Sequence, residues 1–320
     1  MGEELDPVRP LLAGPVRWDA DGATIDIGMD EVRVDGDPAT LAMILDRCDG
    51  GSSLRELVPE PAGPARELVE LLLRRGALVD AEHAWRVLHR QSSAGSALGR
   101  GASTAEVAAL CAESYAAPHG ETSVALDARP GALSGITTAR HSWQPADPRR
   151  ATTFAELSSI LELSYGLHRT PAGRRGTIAS AGGMHPLVLH VLLRDPLGPA
   201  EAGLWWFDPL AARLRRVRAA DEDEIDTLLL DEPSTRELIS RRGPVVFVSA
   251  DLRRPSRKYG ARAYRYALME AGGAMHAALL AAAELSVPAR PIGGIDDRLV
   301  HSALELPDTA VALLALLLGG

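Results

Sequence analysis

The residues best suited to chemistry lie in Lys258-Tyr259-Gly260-Ala261-Arg262-Ala263-Tyr264-Arg265-Tyr266, just before a long apolar stretch from Ala267 to Leu285. A lysine, three tyrosines and two arginines share these nine residues, in a chain with only 4% aromatic residues. The chemistry they offer is proton transfer. Lysine titrates near ~10.4 and tyrosine near ~10 in water, so neither is a good base at neutral pH without help from its surroundings. A desolvated Lys258 would gain that capacity, or a charged Lys258 could stabilise a Tyr259 phenolate. The residue types leave both roles open.

Three other stretches carry ligand-binding character. In Ser180-Ala181-Gly182-Gly183-Met184-His185-Pro186, the small residues let the backbone approach a flat ligand, with N–H groups free to meet ring heteroatoms. Arg140-His141-Ser142 brings a permanent charge suited to a phosphate. Ile292-Gly293-Gly294-Ile295-Asp296-Asp297 offers a second bare backbone. Taken singly, a Gly-Gly pair is more often a turn, and a lone arginine more often a surface residue.

The elements that must position these residues divide the chain into three parts: a small unit over 1–90, a linker and irregular segment over 91–139, and a larger domain over 140–320. In the first, Ala23–Met29 and Glu31–Val34 read as a hairpin. Three helices follow. Asp37-Pro38 opens one, a Ser53/Glu56 capping box a second, and Pro64 a third that ends at Gly76, before a short strand at Ala77-Leu-Val. This is the order of a winged helix. Gln91–Ser103 reads as linker, Thr104–Ala116 as a helix bearing Cys111, and Ala116–Thr138 offers no clear element. In the larger domain, a Thr153/Glu156 capping box starts a helix, and Leu187–Leu193, Pro244–Ser249 and Val311–Leu318 read as buried strands. Leu204–Pro209 and Leu214–Val217 form a hairpin pattern, and the class expected is α+β around one sheet.

Composition narrows the function. A net charge of −9 argues against nucleic-acid binding. The first residues lack the pattern of a signal peptide and no stretch is apolar enough to span a membrane, so a cytoplasmic protein is expected. Cys48 and Cys111, both expected in helices, have no metal-ligand or disulfide spacing.

In their order and spacing, Arg140-His-Ser, Ser180–Pro186, Leu204-Trp-Trp-Phe-Asp-Pro, Lys258–Gly272 and Ile292–Asp297 resemble the nitroreductase-like flavoenzymes. More narrowly, they resemble the SagB-type azoline dehydrogenases of ribosomal peptide biosynthesis. The first ninety residues are similar to the peptide-recognition winged helices of ribosomal peptide-modifying enzymes, in which a leader peptide adds a strand to a sheet edge. The resemblance implies FMN as cofactor and a homodimer with flavin sites at the subunit interface. It places Arg140, His141 and Ser142 at the phosphate and ribityl end, Ser180, Ala181, Gly182 and Gly183 along the ring, and Gly293 and Gly294 on its other side. It also sets Lys258 and Tyr259 at the catalytic pair.

The reaction implied is oxidation of a peptide thiazoline or oxazoline to the azole. A proton goes to the protein, a hydride goes to the flavin, and dioxygen reoxidises the cofactor. Cyclodehydratase proteins are the implied partners. One departure is Gln144, where the family usually carries a basic residue; the phosphate would then be held less strongly, or by an arginine from elsewhere such as Arg290 or Arg298. Gly273, His276 and Ala277 also depart from the family's long-helix pattern. Two other readings stay open: an NAD(P)H-dependent nitroreductase-like enzyme acting on small molecules, and a non-catalytic peptide-binding scaffold.

Overall fold

The computed structural model describes residues 5–27, 31–60, 62–92, 132–171, 173–220, 224–229 and 233–320. The helix expected over 104–116, with Cys111, and most of the expected linker lie outside the described residues.

Strands β1 (Pro10–Leu12), β2 (Val16–Asp19), β3 (Gly22–Asp26) and β4 (Glu31–Asp35) open the chain. The anticipated hairpin is β3–β4, and β2 extends it to a three-stranded antiparallel sheet. The Asp37 carboxylate accepts from the Thr40 amide at 2.9 Å and starts α1 (Pro38–Leu45). The capping box forms at Ser53 and Glu56 ahead of α2 (Leu54–Leu57), and α3 (Pro64–Arg75) ends on Gly76 in the left-handed region. β5 (Leu78–Asp80) returns to pair with β1. Ile25, Leu45, Leu54, Val69 and Leu72 fill the core of this unit. Cys48 falls just past α1 rather than within a helix, and burial lifts its thiol to about 11.

Helix α4 (Trp85–Ser92) follows. The segment without an expected element contains α5 (Ala132–Ala139). Gly135 and the β-branched Ile136, Thr137 and Thr138 disfavour a helix on local propensity. Here Thr137 and Thr138 bond back to the carbonyls of Leu133 and Ser134, and the helix gains support by packing on the long helix of the domain.

The larger domain runs through α6 (Phe154–Tyr165), β6 (Leu167–Thr170), β7 (Gly173–Gly176), β8 (Leu187–Leu193), β9 (Gly203–Asp208), β10 (Arg213–Arg218), α7 (Glu224–Leu228) and α8 (Pro233–Ile239). It continues with β11 (Val245–Asp251), α9 (Arg253–Tyr259), α10 (Arg262–Glu284), β12 (Ala289–Ile292), α11 (Asp297–Ala303) and β13 (Ala310–Leu318). Its sheet has the order β10-β9-β8-β11-β13-β12, every neighbour antiparallel, and β6–β7 is a separate two-stranded hairpin.

Alternation along β8 and β11 explains the layers. Leu189, Val191, Val246 and Val248 pack beneath α6 and α10, while Leu192, Val245 and Phe247 face α7, α8 and α11. With both faces covered, the central strands are near-continuous apolar runs, as the sequence pattern required. The class is α+β.

Candidate functional site

The register of β8 against β11 builds the first half of the site. Leu187 pairs with Ala250, and the Asp251 amide donates to the Pro186 carbonyl at 2.9 Å. The segment before β8 therefore meets the segment after β11. Ala181–Gly183 form a short 3-10 turn in which Gly182 and Gly183 adopt φ +59° and +65°. Lys258 and Tyr259 form the last turn of α9, which Gly260 ends at φ +54°. The two pieces touch. A methyl group on Gly182 would lie 2.4 Å from the Tyr259 hydroxyl and 2.8 Å from Lys258 Nζ.

Lys258 Nζ sits 5.2 Å from the Tyr259 ring centroid, and Tyr266 meets that ring edge-on at 5.0 Å. Tyr259 is half-buried and Lys258 exposed. Any desolvation of the lysine has to come from what binds over it. Gly260 makes the turn into the long helix as expected, but that helix begins at Arg262, before Ala267.

Behind the turn lies a buried polar group that the sequence reading missed. Glu270 of α10 is only 5% exposed and accepts from the Tyr165 hydroxyl at 2.8 Å. That hydroxyl in turn accepts from the Leu187 amide at 2.9 Å. Burial raises the Glu270 pKa, against the opposing pull of Ser180, Tyr165 and the Ala181 backbone. The Tyr165 hydroxyl is raised too, by burial first and then by the neighbouring carboxylate. Ser180 also accepts from the His185 amide at 2.8 Å, which closes the turn. The only trace in the sequence was a lone acid on the helix's otherwise apolar face.

The second half of the site forms along β12. The buried Trp143 donates its amide to the Ala289 carbonyl at 2.9 Å, which pins the Arg140–Gln144 segment beside that strand. The Arg290 guanidinium reaches the Gln144 side-chain oxygen at 3.4 Å and the Ser234 hydroxyl at 2.9 Å. His141 is exposed, its Nε2 3.2 Å from an Asp147 carboxylate oxygen. Gly293 and Gly294 follow the other end of β12, about 13 Å on at ~3.3 Å per residue. A methyl group on Gly293 or Gly183 would meet open space. In kind, cationic and hydroxyl donors at one end and bare glycine backbone at the other suit a phosphorylated flat ring.

The two halves meet different stretches of α10. His141 lines a cavity of about 430 Å³ with Leu279, Ala282 and Ala283, whereas Tyr259 touches Tyr266. Glu270, bonded to Tyr165 behind the turn, and Leu279, in the cavity wall, are ~14 Å apart along the helix at 1.5 Å per residue.

Residues 137–320 match the nitroreductase family. The chain belongs to that family. It is thus a nitroreductase-family oxidoreductase with the family's mixed helix-and-sheet fold. It is 30% identical over 165 residues to MJ1384 of Methanocaldococcus jannaschii, named as a nitroreductase; the match covers 51% of this chain and 79% of that protein. Its fold is shared with a chain of the E. coli microcin synthetase McbBCD complex with truncated pro-MccB17 bound. There the TM-score is 0.53 and the identity 17%, covering 70% of this chain and 84% of that one. A protein of Anabaena variabilis named as a nitroreductase aligns at 24% identity and a TM-score of 0.47, covering 58% of this chain but only 37% of its own length. Within this nitroreductase domain no helix among the described residues is long and apolar enough to cross a membrane.

Proposed function

We propose that the chain is an FMN-dependent azoline dehydrogenase, oxidising peptide thiazolines or oxazolines to azoles. The observation that carries this reading is the contact of Lys258 and Tyr259 with Gly182, because it sets a proton-handling pair against bare backbone suited to a flat ring. Arg140, His141, Ser142 and Gln144 would hold the phosphate end, with Arg290 supplying the charge that Gln144 lacks. Ser180, Ala181, Gly182 and Gly183 would line the ring, with Gly293 and Gly294 against its other side. Bound FMN would supply the hydride acceptor, and dioxygen its reoxidation.

The chain's own residues then supply three things. Lys258 and Tyr259 take the ring proton. Glu270, through Tyr165, keeps the Gly182 turn in place. The glycines let substrate and cofactor approach without a side chain between them. In a homodimer, a complete site would draw its phosphate end from one copy and its Lys258–Tyr259 pair from another. The three-stranded sheet and three helices at the N-terminus fit a winged-helix unit that takes a leader peptide on a strand edge, with cyclodehydratase proteins as partners.

The test is direct. The purified protein should be yellow, and Lys258→Ala and Tyr259→Phe should abolish azole formation while the flavin stays bound. Full activity in both variants would reject the catalytic pair. A colourless protein that cannot be reconstituted with FMN would reject the cofactor. Rapid flavin reduction by NAD(P)H, with none by azoline peptide, would favour a small-molecule nitroreductase instead.

A further inference from the structure

The site is ringed by cations, although the whole chain carries a net charge of −9. Arg174 and Arg175 lie on β7, which packs against the Ala181–Gly183 turn. Arg257 and Lys258 lie in the last turn of α9, and Arg262 and Arg265 in the first turns of α10. All of these side chains belong to exposed residues. Among the described residues none has an acidic partner, whereas Arg253 beside them is paired with Asp251 at 3.4 Å. Arg254 donates to the Met184 and His185 carbonyls at 2.9 and 3.2 Å, so it too faces the turn. His185 reports how closely the charges converge. Its pKa is held below the ordinary imidazole value, first by burial and then by Arg254 and Arg174.

Unpaired cations that repel one another gain nothing for the fold, and a cluster of one sign around a cleft concentrates anions there. None of these cations is among the residues assigned to the flavin phosphate. A strand edge stands beside the cluster as well: among the described residues β7 pairs with β6 alone, so it can accept an extended peptide.

We infer that this face is the docking surface for an acidic stretch of the substrate peptide, lying along β7 with its carboxylates against Arg174, Arg175, Arg257, Arg262 and Arg265. The choice of a peptide rests on the azoline dehydrogenase reading. A long polyanion such as nucleic acid is disfavoured by the negative charge of the rest of the chain.

The experiment uses the full-length, flavin-loaded protein and fluorescein-labelled peptides of equal length that are glutamate-rich, serine-rich or lysine-rich. Alongside them goes a labelled oligothymidylate of matching charge, all followed by fluorescence anisotropy. The glutamate-rich peptide should bind at least about tenfold more tightly than the other peptides and the oligothymidylate, and added salt should weaken it. The double variant Arg174→Glu/Arg175→Glu should lose that preference while keeping its flavin absorbance and thermal midpoint.

Equal binding of all three peptides would overturn the inference, as would tighter binding of the oligothymidylate. Loss of flavin in the double variant would overturn it too, by assigning the cluster to the cofactor. Because binding is read without turnover, the two proposals fail separately. Acidic-peptide binding without azole formation would leave this surface standing and reject the enzyme reading. Azole formation at equal rates on substrates with acidic and neutral flanks would do the reverse.

Discussion

Gly182 adopts a left-handed backbone and also faces Tyr259 and Lys258 at less than van der Waals distance from any added carbon. Gly182→Ala should therefore cost about 1 kcal/mol in stability from the backbone alone. It should lower azole formation far more, because the ends of Lys258 and Tyr259 must swing away. Denaturant unfolding and turnover measured on the same preparation separate the two effects, and a parallel loss in both would contradict this account.

Glu270 makes a second residue-scale prediction. Its folded-state pKa lies above the unfolded value, so the unfolded chain releases this proton first. Its contribution to stability is therefore greatest below the ordinary glutamate range of ~4.3 and declines as pH rises toward the raised value. Glu270→Gln should flatten that part of the pH–stability curve and keep the Tyr165 bond. Glu270→Leu should cost about 1–3 kcal/mol by orphaning the Tyr165 hydroxyl. A pH–stability curve for Glu270→Gln that matches the parent would refute the role.

Among the elements, α10 is the hub. It covers one face of the sheet, carries Tyr266 and Glu270 into the site, and receives α4 from the N-terminal unit. Trp85 is buried and stacks on Tyr264 at 6.2 Å, His89 lies 3.3 Å from the Tyr264 hydroxyl, and Arg86 donates to the Asp308 carbonyl at 3.1 Å. Tyr264 stands five residues after Tyr259, so the two units are joined next to the proposed chemistry. Trp85→Ala should destabilise the protein by about 3–5 kcal/mol through the cavity it leaves. It should also expose the 85–92 segment to limited proteolysis at unchanged flavin content.

Most elements could be read because their signals are local. Capping residues at 37, 53 and 153 and the apolar runs of β8, β11 and β13 each appear within a few residues of sequence. The β6–β7 hairpin was not legible, since Arg169, Arg174 and Arg175 give no apolar alternation, and α5 was hidden by its glycine and threonines.

For the whole molecule, the relation that matters is between the Arg140 segment and the Lys258 turn, which meet different stretches of α10. If the site is shared between copies, co-expressed Arg140→Ala and Lys258→Ala chains should regain about a quarter of wild-type activity. Half of the dimers would be mixed, and each of these would contain one site with both residues intact. A mixture as inactive as either parent would place both residues in one chain's site. The expected oligomer is a dimer by light scattering, with cyclic symmetry.

The sequence alone determined which residue types were available for chemistry, the capped helices and buried strands that carry them, and the α+β class, because each of these rests on neighbours along the chain. Tertiary structure decided that Ser180–Gly183 meets Lys258–Tyr259 and that Arg290 meets Gln144. It also decided that Glu270 sits buried behind the turn, and that His141 stands beside the last turns of α10 while Tyr259 meets Tyr266 nearer its start. Those relations depend on which strand pairs with which and in what register, and pairing between distant segments leaves no mark on the spacing of either one.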